Sequence, residues 1–146
     1  MFKDEITVTG KLNVILVDQM GLVKEEHEFD NLVVTAGKGY IASRMKDATA
    51  TAMSHMAIGT GTTAAAASQT ALVTEANRQA LTSTNVSGAA VTYSATFGAG
   101  NGTGAITEAG LFNASSSGTM LCRTVFSVIN KGAADTLTVS WTVTVS

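Results

Sequence analysis

Near the end of the sequence, Leu137, Val139, Trp141, Val143 and Val145 alternate without a break with Thr and Ser. A side-chain period of two is that of a β-strand, whose successive residues point to opposite faces. The large apolar residues on one face, Trp141 among them, place this strand inside a sheet. The same pattern runs from Glu5 to Val17, where Ile6, Val8, Leu12, Val14 and Leu16 share one parity and Thr7, Thr9, Lys11 and Asn13 the other. It returns between Ala90 and Phe97, where Val91, Tyr93, Ala95 and Phe97 alternate with Thr92, Ser94 and Thr96.

Turn signals cut the rest into short pieces. Asp18-Gln19-Met20-Gly21 reads as a turn, and Leu22 to Phe29 as a returning arm that closes a hairpin over 5–29. Lys24, Glu25, Glu26 and Glu28 make that arm a charged sheet edge. Leu32-Val33-Val34 is short and apolar, Thr35 is an expected N-cap, and Ile41, Met45 and Ala48 recur at helical spacing, which predicts one helix over 36–47. Further strands are expected over Met53 to Ile58, Arg78 to Val86 and Met120 to Ile129. Gly59 to Ala67 reads as a long small-residue loop leading to Ala71-Leu72-Val73. Gly98 to Gly104 ends the strand before it, since glycine loses the most freedom on ordering. About eight strands and one helix at this spacing predict an all-β fold, a jelly-roll-like antiparallel β-sandwich, with a partly open barrel as the alternative.

The sequence has 146 residues, a length that suits a single domain spanning 1–146. Only 14% of them are charged, well below the usual ~25%, so the surface is one suited to being covered. Proline is absent. Sheet edges must therefore be protected by charge, by glycine or by a neighbouring subunit. A net charge of −2 provides no basic footprint for nucleic acid and no basic membrane-binding stretch, so neither is an expected partner. The lone Cys122 excludes an intramolecular disulfide and a thiolate-rich zinc site. Met1-Phe2-Lys3-Asp4-Glu5 turns acidic at once with no apolar run behind it, so synthesis in a cytoplasm without a cleaved signal is expected.

Few motifs carry chemistry. Gly100-Asn101-Gly102-Thr103-Gly104-Ala105 has the spacing of a pyrophosphate cradle, but Ile106 to Gly110 does not read as the helix such a site needs. A flexible loop is the expectation there. His27 stands in a charged strand as a solvated residue, and His55, between Met53 and Met56, reads as a packed or interface histidine. Cys122 reads as a buried thiol acting as a small hydrophobe. No catalytic residue, cofactor or metal is expected, and the chain is not expected to be an enzyme. Glu75, Arg78, Glu108 and Arg123 stand out because their surroundings are small and apolar, where a charge needs a partner. Glu108 or Glu75 is expected to pair with Arg123 or Arg78, within the domain or across a subunit boundary.

Several segments, in order, resemble a group of tailed-phage particle proteins: Asn31 to Lys38, Ala57 to Thr63, Ala71 to Arg78, Ile106 to Phe112, Arg123 to Phe126, Asn130-Lys131-Gly132 and the Trp141 strand. The resemblance covers roughly residues 31–145. The group includes small capsid decoration, or cement, proteins and the attachment domains of tail or head fibres. It implies a virion role. Because the sequence stops after its last strand without a fibre shaft, the expected role is a cement protein on the capsid surface that binds the major capsid protein. The alternative is a fibre or baseplate attachment domain with a host-recognition role. A homotrimer is an expectation of the resemblance alone. Expected contact surfaces are the charged arm at 22–30 (Lys24, Glu25, Glu26, Glu28) and the loops at 59–70 and 98–105 (Thr60, Thr62, Asn101, Thr103), whose small side chains can mould to a neighbour. The first strand, 5–17, is a further expected pairing edge.

Overall fold

The alternating segments near the two ends of the sequence lie side by side. In the computed structural model, which describes residues 5–46 and 50–146, β1 (Val8–Val17) pairs antiparallel with β10 (Thr136–Val145) along its whole length. Leu12 stands opposite Trp141, Val14 opposite Val139 and Leu16 opposite Leu137, and all of these are buried. The Thr and Ser residues of the other parity line the outer face, where Thr92 and Thr142 hydroxyls meet at 3.0 Å and those of Ser94 and Ser140 at 3.2 Å.

Ten strands, counted among the described residues, form two five-stranded sheets. The first runs β2 (Val23–Asp30), β1, β10, β7 (Ala90–Phe97), β6 (Ser83–Ser87). The second runs β3 (Leu32–Val33), β9 (Met120–Lys131), β8 (Gly104–Phe112), β4 (His55–Gly59), β5 (Glu75–Ala80). Both contribute to one core, in which Leu12, Phe97 and Trp141 of the first sheet pack with Met56, Ile58 and Leu111 of the second. Each such fully buried side chain contributes about 1.5–3 kcal/mol, and no disulfide assists them, since Cys122 is buried and free. The sandwich is jelly-roll-like in its nesting. β1 pairs with β10 in one sheet, and β3, the next strand inward but one, pairs with β9 in the other.

The expected single strand from Arg78 to Val86 is two strands in different sheets. Leu81 donates its N–H to Ser54 O at 2.9 Å, and Thr82 donates to Ser94 O at 2.7 Å, so the chain passes from one sheet to the other at these two residues. Alternation records a strand's faces but not the sheet it joins. Ile106 to Phe112, left unassigned from sequence, belongs to β8 between β4 and β9, and every residue from Ile106 to Phe112 is buried. Burial on both faces erases the two-residue period. The first strand is no free pairing edge, because β1 has β2 on one side and β10 on the other. Ile6, assigned to its apolar face, precedes the strand and is 76% exposed.

The helix is α1 (Thr35–Arg44). Thr35 is its first residue rather than its N-cap; Val34 holds the cap position without a side-chain bond, and the Thr35 N–H donates to Ala67 O at 2.8 Å. Met45, of the expected apolar stripe, is exposed. Asp47 and Ala48, which completed the expected helix and stripe, lie outside the described residues, as do Met1–Asp4 of the acidic start. What seats the helix is Gly37, where an added Cβ would come within 2.0 Å of Leu121 O.

Candidate functional site

β8 and β9 set Glu108 opposite Val125 and Gly110 opposite Arg123. The two charged side chains therefore rise from neighbouring strands on the same side of the second sheet, away from the inter-sheet core that takes Ala109 and Leu111. Glu108 Oε2 accepts from Arg123 Nε at 3.0 Å and from Nη2 at 2.7 Å, and both side chains are fully buried.

The loop between β4 and β5 closes over this pair. Glu108 Oε1 accepts the N–H groups of Gly61 at 3.0 Å and Thr74 at 2.7 Å, and Oε2 accepts that of Val73 at 3.1 Å. Arg123 Nη1 donates to Thr63 O at 3.0 Å and to Gln69 Oε1 at 2.9 Å. Gln69 in turn accepts the Ala66 N–H at 3.0 Å and donates to Ala64 O at 3.2 Å. Thr107 Oγ1 donates to Gly61 O at 2.8 Å. Glycine is required where the carboxylate lies closest, since a Cβ on Gly59 or Gly61 would stand 2.6 Å from Glu108 Oε1. Burial alone would raise the Glu108 pKa, but the N–H of Thr74, the Arg123 guanidinium and the N–H groups of Val73 and Gly61 outweigh it and hold the carboxyl below its ordinary range. The small-residue loop is thus shaped from below by a buried ion pair. A second apolar cluster of Val34, Ala57, Leu72, Phe112 and Met120 takes in Leu72 from this loop.

Glu75 and Arg78 form the other pair, three residues apart in β5. Arg78 Nη2 meets Glu75 Oε1 at 2.7 Å and Nε meets Oε2 at 3.1 Å, a two-pronged contact. Nη1 donates to Ala114 O at 3.0 Å and Ser117 O at 2.9 Å, and the guanidinium carbon lies 3.8 Å from the centre of the Phe112 ring. Arg78 thereby fastens the loop between β8 and β9 to the edge strand. Both pairs form within the chain.

The surface residues divide between two places. Lys24 Nζ meets Asp135 Oδ2 at 2.8 Å in the turn before β10, and that carboxylate also accepts the Gly132 N–H at 2.7 Å. The Lys24 ammonium and then the Gly132 N–H hold Asp135 below its ordinary pKa, against a smaller opposing effect of burial. Lys131, buried, donates to Gly98 O at 2.9 Å and Asp135 O at 2.8 Å, and Gly100 N–H donates to Ala133 O at 2.9 Å. These bonds bring Lys24 and the loop of Asn101 and Thr103 to one end of the sandwich. Glu25 bonds His27 at 3.1 Å and Glu28 bonds Lys11 at 3.0 Å along β2, while Glu26 is exposed. Thr60 and Thr62 are exposed on the loop between β4 and β5. His27 also stacks on Phe29, and His55 shares a 2.8 Å bond with Ser54. Burial pushes the Cys122 thiol well above its ordinary pKa, which disfavours the reactive thiolate.

Gln69, Lys131 and Asp135 were not singled out from sequence. Lys131 carried a signal, being a second charge, after Arg123, in a strand rich in apolar residues. Gln69 carried none, because its role depends on a fold-back onto Arg123 across 54 positions.

A family model described as phage tail-collar fibre protein, N-terminal, matches residues 26–146. No curated protein and no solved structure matches the chain. The match begins within β2 and includes every later element, both arginine–glutamate pairs among them.

Proposed function

Since the chain belongs to the phage tail-collar fibre protein family and is a bacteriophage virion structural protein, we propose that it forms an attachment domain that holds a fibre to the particle. The observation that carries this is the family match over residues 26–146. Capsid decoration, the first expectation from the resemblance, is less well supported, because the family matched is one of fibres. The proposed location is accordingly the tail or its collar rather than the capsid surface, and the proposed partner is a virion protein there rather than the major capsid protein.

The role needs geometry and no catalysis. An attachment domain must present a fixed surface under load, and surface loops on a rigid scaffold do this well. Here the loop from Thr60 to Thr74 is exposed over much of its length yet bonded from beneath by Glu108 and Arg123. Its Ala64–Ala67 backbone offers a partner close approach without bulky side chains. Between this loop and β9 lies a groove of about 390 Å³, lined by Leu32, Thr62, Ala65 and Val125 among others. We assign the docking surface to this loop and groove.

The test is a cryo-electron-microscopy reconstruction of the virion that carries this chain, with an Ala65→Arg variant in parallel. Density at the tail collar or fibre base, and loss of fibre incorporation by a variant that still folds, are the expected outcomes. Many copies spread over the capsid shell would overturn the attachment role and restore decoration.

A further inference from the structure

Four strands lie at the ends of the two sheets, and three of them are protected. β2 carries Lys24, Glu25, Glu26, His27 and Glu28 and meets a register shift near its start. β3 is two residues long. β5 carries Glu75 and Arg78, with its own register shift against β4. The fourth, β6, has none of these devices: Ser83-Thr84-Asn85-Val86-Ser87 has no charge and no proline, pairs with β7 without a shift, and is exposed at every residue. Val86 is 69% exposed. An edge of this kind is a template for another strand.

The hairpin fixes which backbone groups are free. Ser87 and Ala90 close a two-residue turn in which Gly88 takes φ +57°. In an antiparallel ladder opposed residues alternate between exchanging both hydrogen bonds and exchanging none, and the residues flanking a two-residue turn are of the exchanging kind. Ser87, Asn85 and Ser83 therefore spend their N–H and C=O groups on β7. Thr84 and Val86 turn theirs outward.

We propose that β6 is a self-pairing edge, to which β6 of a second copy adds antiparallel about a two-fold axis at Asn85. The register follows from the free groups. With Asn85 on the axis, Thr84 of each copy exchanges both bonds with Val86 of the other, so every outward group is used. Centring on Thr84 instead needs the partner group of Thr82, whose N–H is already bonded to Ser94 O at 2.7 Å. Centring on Val86 needs Gly88, which is in the turn. A second copy is the occupant because the segment complements itself. Ser83 faces Ser87, the amide of Asn85 faces its own equivalent, exposed Val86 gains the methyl group of Thr84, and no charges meet. The first sheet then runs on through both copies, an isologous contact. This does not rest on the attachment role.

The axis position supplies the test. Residues opposed without exchanging bonds have Cα atoms about 4.5 Å apart, inside the roughly 4.4–6.8 Å span of a disulfide. In the full chain, Asn85→Cys should cross-link to a dimer under mild oxidation on the order of tenfold faster than Ser87→Cys, whose opposite number is Ser83 and not itself. Cys122 is 0% exposed and adds no background. Wild-type protein should sediment as a concentration-dependent dimer, and Val86→Lys, which alters only an exposed residue, should sediment as a monomer with unchanged circular dichroism. A monomer at all concentrations, a trimer without the Asn85→Cys link, or equal cross-linking at the two positions overturns the proposal.

Discussion

Glu108 and Arg123 share a single oxygen. Both Nε and Nη2 of the arginine donate to Oε2, which frees Oε1 for the N–H groups of Gly61 and Thr74. The pair therefore does more than neutralise two buried charges, since each partner keeps groups in reserve to hold the covering loop.

Removing either partner strands the other charge under the loop. Glu108→Ala and Arg123→Ala should each lose about 3–5 kcal/mol of stability in urea denaturation. The loop from Thr60 to Thr74 has no Lys or Arg, so a broad-specificity protease rather than trypsin should be used, and it should nick both variants there first. A Glu108→Leu, Arg123→Met double variant should recover part of the loss, because no unpaired charge remains. Equal stability of wild type and both single variants would falsify the buried-pair account.

Acid should unfold the protein through two carboxyls. Glu108 and Asp135 both lie below their ordinary values of 4.5 and 3.8. The unfolded chain then takes up protons at higher pH than the folded one, so their stabilisation is present above those values and is lost as pH falls through the folded ones. The urea midpoint should decline below about pH 4.5, and the decline should be shallower in Glu108→Gln. A midpoint that rises on acidification contradicts the assignment.

Lys131 acts as a clamp between turns. Its ammonium satisfies the carbonyls of Gly98 and Asp135, and burial lowers its pKa, with the Asp135 charge opposing. Lys131→Met keeps the length but orphans both carbonyls, at an expected cost of about 1–3 kcal/mol. Hydrogen exchange at the Gly100 amide, bonded to Ala133 O, should accelerate in that variant more than at Leu12 in the core.

Two glycines of α1 should answer alanine in opposite ways. A Cβ at Gly37 meets Leu121 O at 2.0 Å, whereas at Gly39 it meets nothing within 4 Å. Gly37→Ala should destabilise by about 1–3 kcal/mol or more as the helix is pushed off β9, and Gly39→Ala should stabilise by up to about 1 kcal/mol through helix propensity. Thermal melts of the two variants check the sign.

The sequence by itself determined the strands that have one wet face. β1, β7 and β10 were legible because solvent on one side and core on the other impose a period of two on Val8–Val17, Ala90–Phe97 and Thr136–Val145. The charges of β2 likewise announced an edge, and the isolated Glu75, Arg78, Glu108 and Arg123 announced that partners were needed. Only the tertiary structure decided which partners, because the bonds made by Glu108 and Arg123 themselves reach across 15 to 60 positions of chain. It alone gave β8 its central place, since a strand covered on both faces has no period to read. It also divided residues 75–87 between two sheets and left β6 open, because a strand's faces are written in its side chains but its neighbours are chosen by how the whole chain closes.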